Sequence, residues 1–60
     1  MPKYMVVVKS DEGTFANFFE DFNKADNFRM DSTVSMGWEA ELYERMQDDD
    51  GVFSYTLIWC

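Results

Sequence analysis

The 60-residue chain has no histidine and a single cysteine, Cys60, its last residue. These two counts exclude histidine-dependent catalysis, a zinc site built from Cys/His sets and an intrachain disulfide framework. Gly13, Gly37 and Gly51 are the only glycines and lie far apart, so no phosphate-cradling loop is present. Basic residues are scarce: five Lys+Arg stand against 12 Asp+Glu, and the net charge of -7 excludes a basic nucleic-acid binder. The only proline is Pro2, no Pro-rich linker divides the chain, and a single small domain over residues 1–60 is expected. No apolar run approaches the roughly 18 residues that span a bilayer, and the opening MPKYMVVVKS is too short in apolar residues for a secretory core. A cytoplasmic protein with no membrane contact and no cofactor is the expectation.

What the chain does have is aromatic mass. Six Phe, three Tyr and two Trp make up 18% of the residues. Each ring can bury roughly 150–250 Å², which offsets the small core of so short a chain. Disordered acidic segments lack such residues, and here they recur in regular patterns.

Lys3 to Lys9 reads as a strand, with Tyr4, Val6 and Val8 on one face and Met5 and Val7 on the other. Being apolar on both faces, it belongs inside a sheet. Ser10 to Thr14 then supplies turn and capping chemistry. Phe15, Phe18, Phe19 and Phe22 follow at i, i+3, i+4 and i+7, the stripe of an amphipathic helix running from about Thr14 to about Ala25. Between Asp26 and Gly37, Phe28, Met30, Ser32 and Val34 alternate with polar residues, which suits a short exposed strand or an ordered loop.

Trp38 to Gln47 fits two periods. As a strand it turns Trp38, Ala40, Leu42 and Met46 inward, with Glu44 interrupting; as a helix it lines up Val34, Trp38, Leu42 and Met46 and pairs Glu41 with Arg45. Asp48, Asp49 and Asp50 would sit at the negative end of that helix's dipole, and Asp-Asp-Asp-Gly is a hairpin signal, so the strand is favoured. Val52 to Cys60 is the clearest strand, with Phe53, Tyr55, Leu57 and Trp59 on one face. The expected fold is α+β: one amphipathic helix on a small antiparallel sheet of three to four strands, in the order β-α-(β)-β-β.

Asp48, Asp49, Asp50 and Gly51 resemble part of a calcium loop, but the acidic positions that pattern requires are Met46 and Leu57, so a solvated turn is expected. A carboxylate acid/base pair needs a cleft, and a domain of this size has little interior for one; no enzyme is expected. Cys60 reads as a strand-end residue, and the phenylalanine stripe as core. Met30, Met36 and Met46 fit either an exposed edge or an adaptable partner surface.

The acidic residues are unevenly placed. All 12 lie between Asp11 and Asp50, opposed there only by Lys24, Arg29 and Arg45. Within Trp38 to Asp50, Glu39, Glu41, Glu44, Asp48, Asp49 and Asp50 face one base, Arg45. On a strand, Glu39 and Glu41 share a face roughly 6.6–6.8 Å apart, the scale of successive phosphates on a nucleic-acid strand. The aspartates of the turn are expected to extend that row, with Trp38 and Tyr43 as contact anchors and Asp31 as a further acidic contact. Such a field speeds association with a basic partner and makes binding salt-dependent.

In size, net charge and this carboxylate cluster, the chain resembles the small, acidic, phage-encoded inhibitors that imitate the charge of DNA, among them several anti-CRISPR proteins and uracil-DNA glycosylase inhibitors. The resemblance implies a stoichiometric blocker, a monomer or weak homodimer, that occupies the Lys/Arg groove where a basic nucleic-acid-binding protein or complex, such as a CRISPR effector, holds DNA. The cytoplasm would then be that of a bacterial host, and the chain itself would bind no nucleic acid. The alternative is a small interaction or regulatory subunit, or a homodimer, that binds through an open sheet edge at the C-terminal strand, with Tyr55 and Trp59 in contact.

Overall fold

The computed structural model describes residues 1–59. Four strands, β1 (Tyr4–Ser10), β2 (Gly13–Phe19), β3 (Glu39–Gln47) and β4 (Phe53–Trp59), form one antiparallel sheet in the order β2-β1-β3-β4. A single helix, α1 (Phe22–Met30), continues into one π-helical turn, Asp31–Ser35, and packs on one face of the sheet. The α+β class is as expected. The central position of β1 follows from its apolar character on both faces: Val6 and Val8 are fully buried under the helical layer and Met5 and Val7 half-buried on the reverse.

The helix lies later in the chain than the phenylalanine spacing indicates. Gly13 to Phe19 is a strand because the chain reverses at once after β1. Ser10 Oγ donates to the Gly13 carbonyl at 2.9 Å and accepts from the Glu12 N–H at 3.2 Å, and Gly13 takes φ +133°, which a side chain would oppose. A seven-residue hairpin register from Tyr4↔Phe19 to Ser10↔Gly13 results. Aromatic residues suit a pleated surface, and pairing with β1 outweighs the helical period. Phe15 and Phe19 share the helix side of the sheet with Asn17, while Phe18 faces the other way.

Residues 26–37 are accordingly helical rather than a strand or a loop. Asp21 caps α1, its carboxylate accepting the Asn23 N–H at 2.8 Å. The face that meets the sheet is Ala25, Phe28, Arg29 and Ser32, at i, i+3, i+4 and i+7, all buried or half-buried. Ser32 and Thr33 turn their hydroxyls back onto the Phe28 and Arg29 carbonyls, and the Met36 N–H reaches the Asp31 carbonyl, widening the last turn. Gly37, at φ +72°, then reverses the chain so that the Trp38 N–H donates to the Ser32 carbonyl at 2.9 Å.

Trp38 to Gln47 adopts the favoured strand form. Ala40 and Leu42 are buried, Trp38 packs against the core and Glu44 is half-buried, whereas Met46 is 41% exposed because the β3–β4 hairpin projects past the helix-covered part of the sheet. In β4 the alternation breaks at one point. Leu42 pairs with Trp59 and Tyr43 with Leu57, so a bulge at Ile58 turns Trp59 to the helix side, away from Phe53, Tyr55 and Leu57. There the Arg29 guanidinium stacks on the Trp59 ring at 5.1 Å.

The apolar core consists of Tyr4, Val6, Val8, Ala25, Ala40 and Leu42. Phe19–Phe28 at 5.6 Å, Tyr4–Phe22 at 5.6 Å and Phe15–Trp38 at 6.2 Å ring it with aromatic contacts. Leu42→Ala is expected to lower the unfolding free energy by about 3 kcal/mol. That is a large share of what a domain of this length has. Val34→Ala, at a 78% exposed position, should shift it by less than about 0.5 kcal/mol. Urea titrations followed by tryptophan fluorescence read both.

Candidate functional site

The sheet has two unlike faces. Paired residues on neighbouring strands point the same way, so the face opposite α1 can be read in rows. One row is Phe18, Met5, Tyr43 and Leu57; on one side of it lie Ala16, Val7 and Glu41, then Thr14, Lys9 and Glu39; on the other side lie Arg45 and Tyr55, then Gln47 and Phe53. Among the described residues no helix or strand covers this face, and Met1 and Pro2 reach its Arg45–Tyr55 side. Phe18, Phe53 and Leu57 are exposed, at 52, 46 and 44%, and Met5, Val7, Tyr43 and Tyr55 are half-buried. Phe18 and Tyr55, from the two edge strands, approach to 6.1 Å across it. The Tyr55 hydroxyl donates to the Pro2 carbonyl at 2.7 Å, and Arg45 donates to the Met1 carbonyl while its guanidinium lies 5.1 Å from the Phe53 ring.

The acidic residues singled out in the sequence are divided by this architecture. Glu39 and Glu41 share the open face as expected, Glu39 exposed and Glu41 half-buried with the Tyr43 hydroxyl 3.4 Å from its carboxylate. Glu44 stands on the opposite, helix-side face opposite Tyr4. The turn aspartates do not continue the row: β3 separates them from Glu39 by about 30 Å at roughly 3.3 Å per residue, with Tyr43, Arg45 and Gln47 in between. Asp31 begins the π turn in the helical layer. Of the two aromatic anchors, Tyr43 is on the open face, whereas Trp38 is set edge-on to Phe15 and packs on the core.

The three turn aspartates have different roles. The Asp48 carboxylate accepts the N–H groups of Asp50 and Val52, each at 2.9 Å, and its backbone exchanges bonds with Gly51 and Val52. It builds the turn, an Asx arrangement, and Gly51 at φ +82° completes it. Asp49 and Asp50 make no such bonds and are exposed. Among the described residues, the 2.8 Å contact of Arg29 with Asp26 is the only ion pair. Among them, no group of His, Cys, Asp or Glu is arranged to hold a metal ion.

Sequence reasoning overlooked two features. A shallow groove of about 290 Å³ opens between the helical layer and the start of β3, lined by Arg29, Thr33, Trp38, Glu39, Ala40 and Glu41. The other is the extent of the open sheet face: Met5 and Val7 within β1 mark a second apolar face in the sequence, but the helical spacing of Phe15, Phe18, Phe19 and Phe22 hides that Phe18 belongs to it. Met30, Met36 and Met46 are all exposed, the first two at the helical end and the third at the hairpin. Tyr55 and Trp59 do lie on an edge strand, but the bulge puts them on opposite faces. Cys60 lies outside the described residues.

Asp48→Ala removes an acceptor for two turn N–H groups and is expected to cost about 1–2 kcal/mol of stability. Asp49→Ala, by contrast, should be neutral or slightly stabilising as one repulsive charge is lost. Thermal melts of the two variants side by side test this. Comparison of the chain with protein-family models, with curated proteins and with solved structures finds no match.

Proposed function

We propose that this protein is a stoichiometric binding protein, not an enzyme, whose acidic surface docks on the basic face of a nucleic-acid-binding protein or complex and keeps nucleic acid out of it. The observation that supports the reading is the lack of local neutralisation: of 12 carboxylates, only Asp26 is in an ion pair among the described residues. Of the other cations, Lys9 stands opposite Glu39 in the sheet, and two lie near rings. Lys3 lies 5.8 Å from the Tyr4 ring and Arg45 stacks on Phe53. An unneutralised field of this kind attracts a Lys/Arg-lined groove and competes for it with phosphates.

The contact residues of this reading are the exposed acids at the two ends of β3: Glu39 with Asp11 and Glu12 of the neighbouring turn at one end, and Asp48, Asp49 and Asp50 at the other. An anti-CRISPR-type inhibitor acting in a bacterial cytoplasm fits that role. No helix among the described residues is long and apolar enough to cross a membrane.

A second reading has its own observation. β4 is an edge strand with no charged residue from Phe53 to Trp59, and it lacks the lysines and inward-pointing charges that guard such edges. A regulatory subunit could add a strand there.

Pull-down from a bacterial lysate, with salt-step elution and DNA competition on the eluate, separates the two. Under the first reading a DNA-binding protein is captured, is released as salt rises and no longer binds its DNA. The variant Glu39→Gln/Asp48→Asn/Asp49→Asn/Asp50→Asn loses that capture while remaining folded, since Asn at 48 still offers the turn an acceptor. Capture that ignores salt and these changes, but fails on Leu57→Pro, where the N–H faces the free edge, would favour the edge-strand reading instead.

A further inference from the structure

We propose that a second copy of this chain covers the open face of the sheet, the two copies related by a two-fold axis that crosses the strands at the row Phe18, Met5, Tyr43 and Leu57. That row is uncharged and reaches from one edge of the sheet to the other. A two-fold axis lying along it sets each member against its own counterpart, as an isologous contact requires.

The charges on either side of the row suit this orientation. On β3, Glu41 precedes Tyr43 by two residues and Arg45 follows it by two, all on the open face. Rotation about the row places Glu41 of each copy over Arg45 of the other, so a single mixed-sign strand becomes self-complementary. An axis parallel to the strands through the middle of the sheet would instead set β3 over β1, with Glu41 over Val7 and Glu39 over Lys9. The Met1 carbonyl and the Phe53 ring already hold the Arg45 side chain in place, and the Tyr43 hydroxyl lies against Glu41, so little further ordering is needed on association.

Size is compatible. Strands of seven or more residues at about 3.3 Å per residue, four strands wide at about 4.8 Å, present a face of roughly 450 Å² before side-chain relief is counted. Two such faces come close to the roughly 1,000 Å² of a specific interface. Aligned sheet packing is also the ordinary way for two half-covered antiparallel sheets to complete a core.

This contact is independent of the basic partner proposed above, because it needs no second protein and is read on the purified chain alone. In the dimer the Glu41–Arg45 contacts are attractive, whereas Glu39 of one copy approaches the Asp48 turn of the other, and salt screens both.

The test is sedimentation equilibrium of the full chain and of Glu41→Arg and Arg45→Glu. Each single variant opposes like charges at both symmetric positions and should weaken self-association at least about tenfold. An equimolar mixture of the two restores opposite charges at both positions and should recover a heterodimer, which also shows that both variants fold. Leu57→Lys, at an exposed position, supplies a second disruption at the row itself. A wild-type chain that stays monomeric to about millimolar concentration would overturn the proposal. So would a dimer indifferent to these changes, or single variants whose mixture does not associate.

Discussion

One helix of nine residues has to cover a four-stranded sheet, and it can cover only one side. The rest of the structure depends on that limit. Ala25 permits close approach of α1 to the sheet, and beneath the helix Val6, Val8 and Leu42 are almost fully removed from water. Beyond its reach the apolar residues of the same strands stay half-exposed. A layer architecture normally buries each apolar face against another element. Among the described residues no second helix lies on the reverse face, so that face is left as surface.

The charge distribution follows from the same arrangement. Apart from Glu41 and Glu44 within β3, the carboxylates of the sheet lie at strand ends and turns: Asp11 and Glu12 between β1 and β2, Glu39 at the start of β3, Asp48 to Asp50 between β3 and β4. The long dimension of the molecule, 39 Å, separates like charges and reduces their mutual repulsion. A run that looks continuous in sequence therefore becomes two acidic poles in space.

The strands with two-residue alternation were legible. β1, β3 and β4 are where the period and the Asp-Asp-Asp-Gly turn put them, and the single helix on an antiparallel sheet follows from their number. The phenylalanine stripe misled because Phe15, Phe18, Phe19 and Phe22 satisfy a helical spacing by chance while the Ser10–Gly13 turn commits the first three to a hairpin. A true helical stripe, Ala25, Phe28, Arg29 and Ser32, was obscured by its own composition: a small residue, a cation and a hydroxyl do not read as apolar. The bulge at Ile58 has no signature in a segment where every residue alternates. For the site, the pairing of Glu39 with Glu41 was readable from strand period, but the distance from them to the turn aspartates needed the strand's length and direction.

The basic residues connect composition to function most directly. Three of the five cations lie at rings: Arg29 divides itself between Asp26 and the Trp59 ring, Arg45 lies on Phe53 and bonds the Met1 carbonyl, and Lys3 stands near Tyr4, while Lys9 stands opposite Glu39 in the sheet. Aromatic rings at the margins of so thin a core are half-wet, and a cation over such a ring shields its face without the desolvation that a buried ion pair demands. Among the described residues, that placement leaves Asp26 as the one carboxylate in an ion pair. Aromatic residues thus stabilise the small fold and, by engaging three of its five cations, also help maintain the negative field outside it. In a protein with more bases or fewer rings, those two effects would be separable; here one set of contacts produces both.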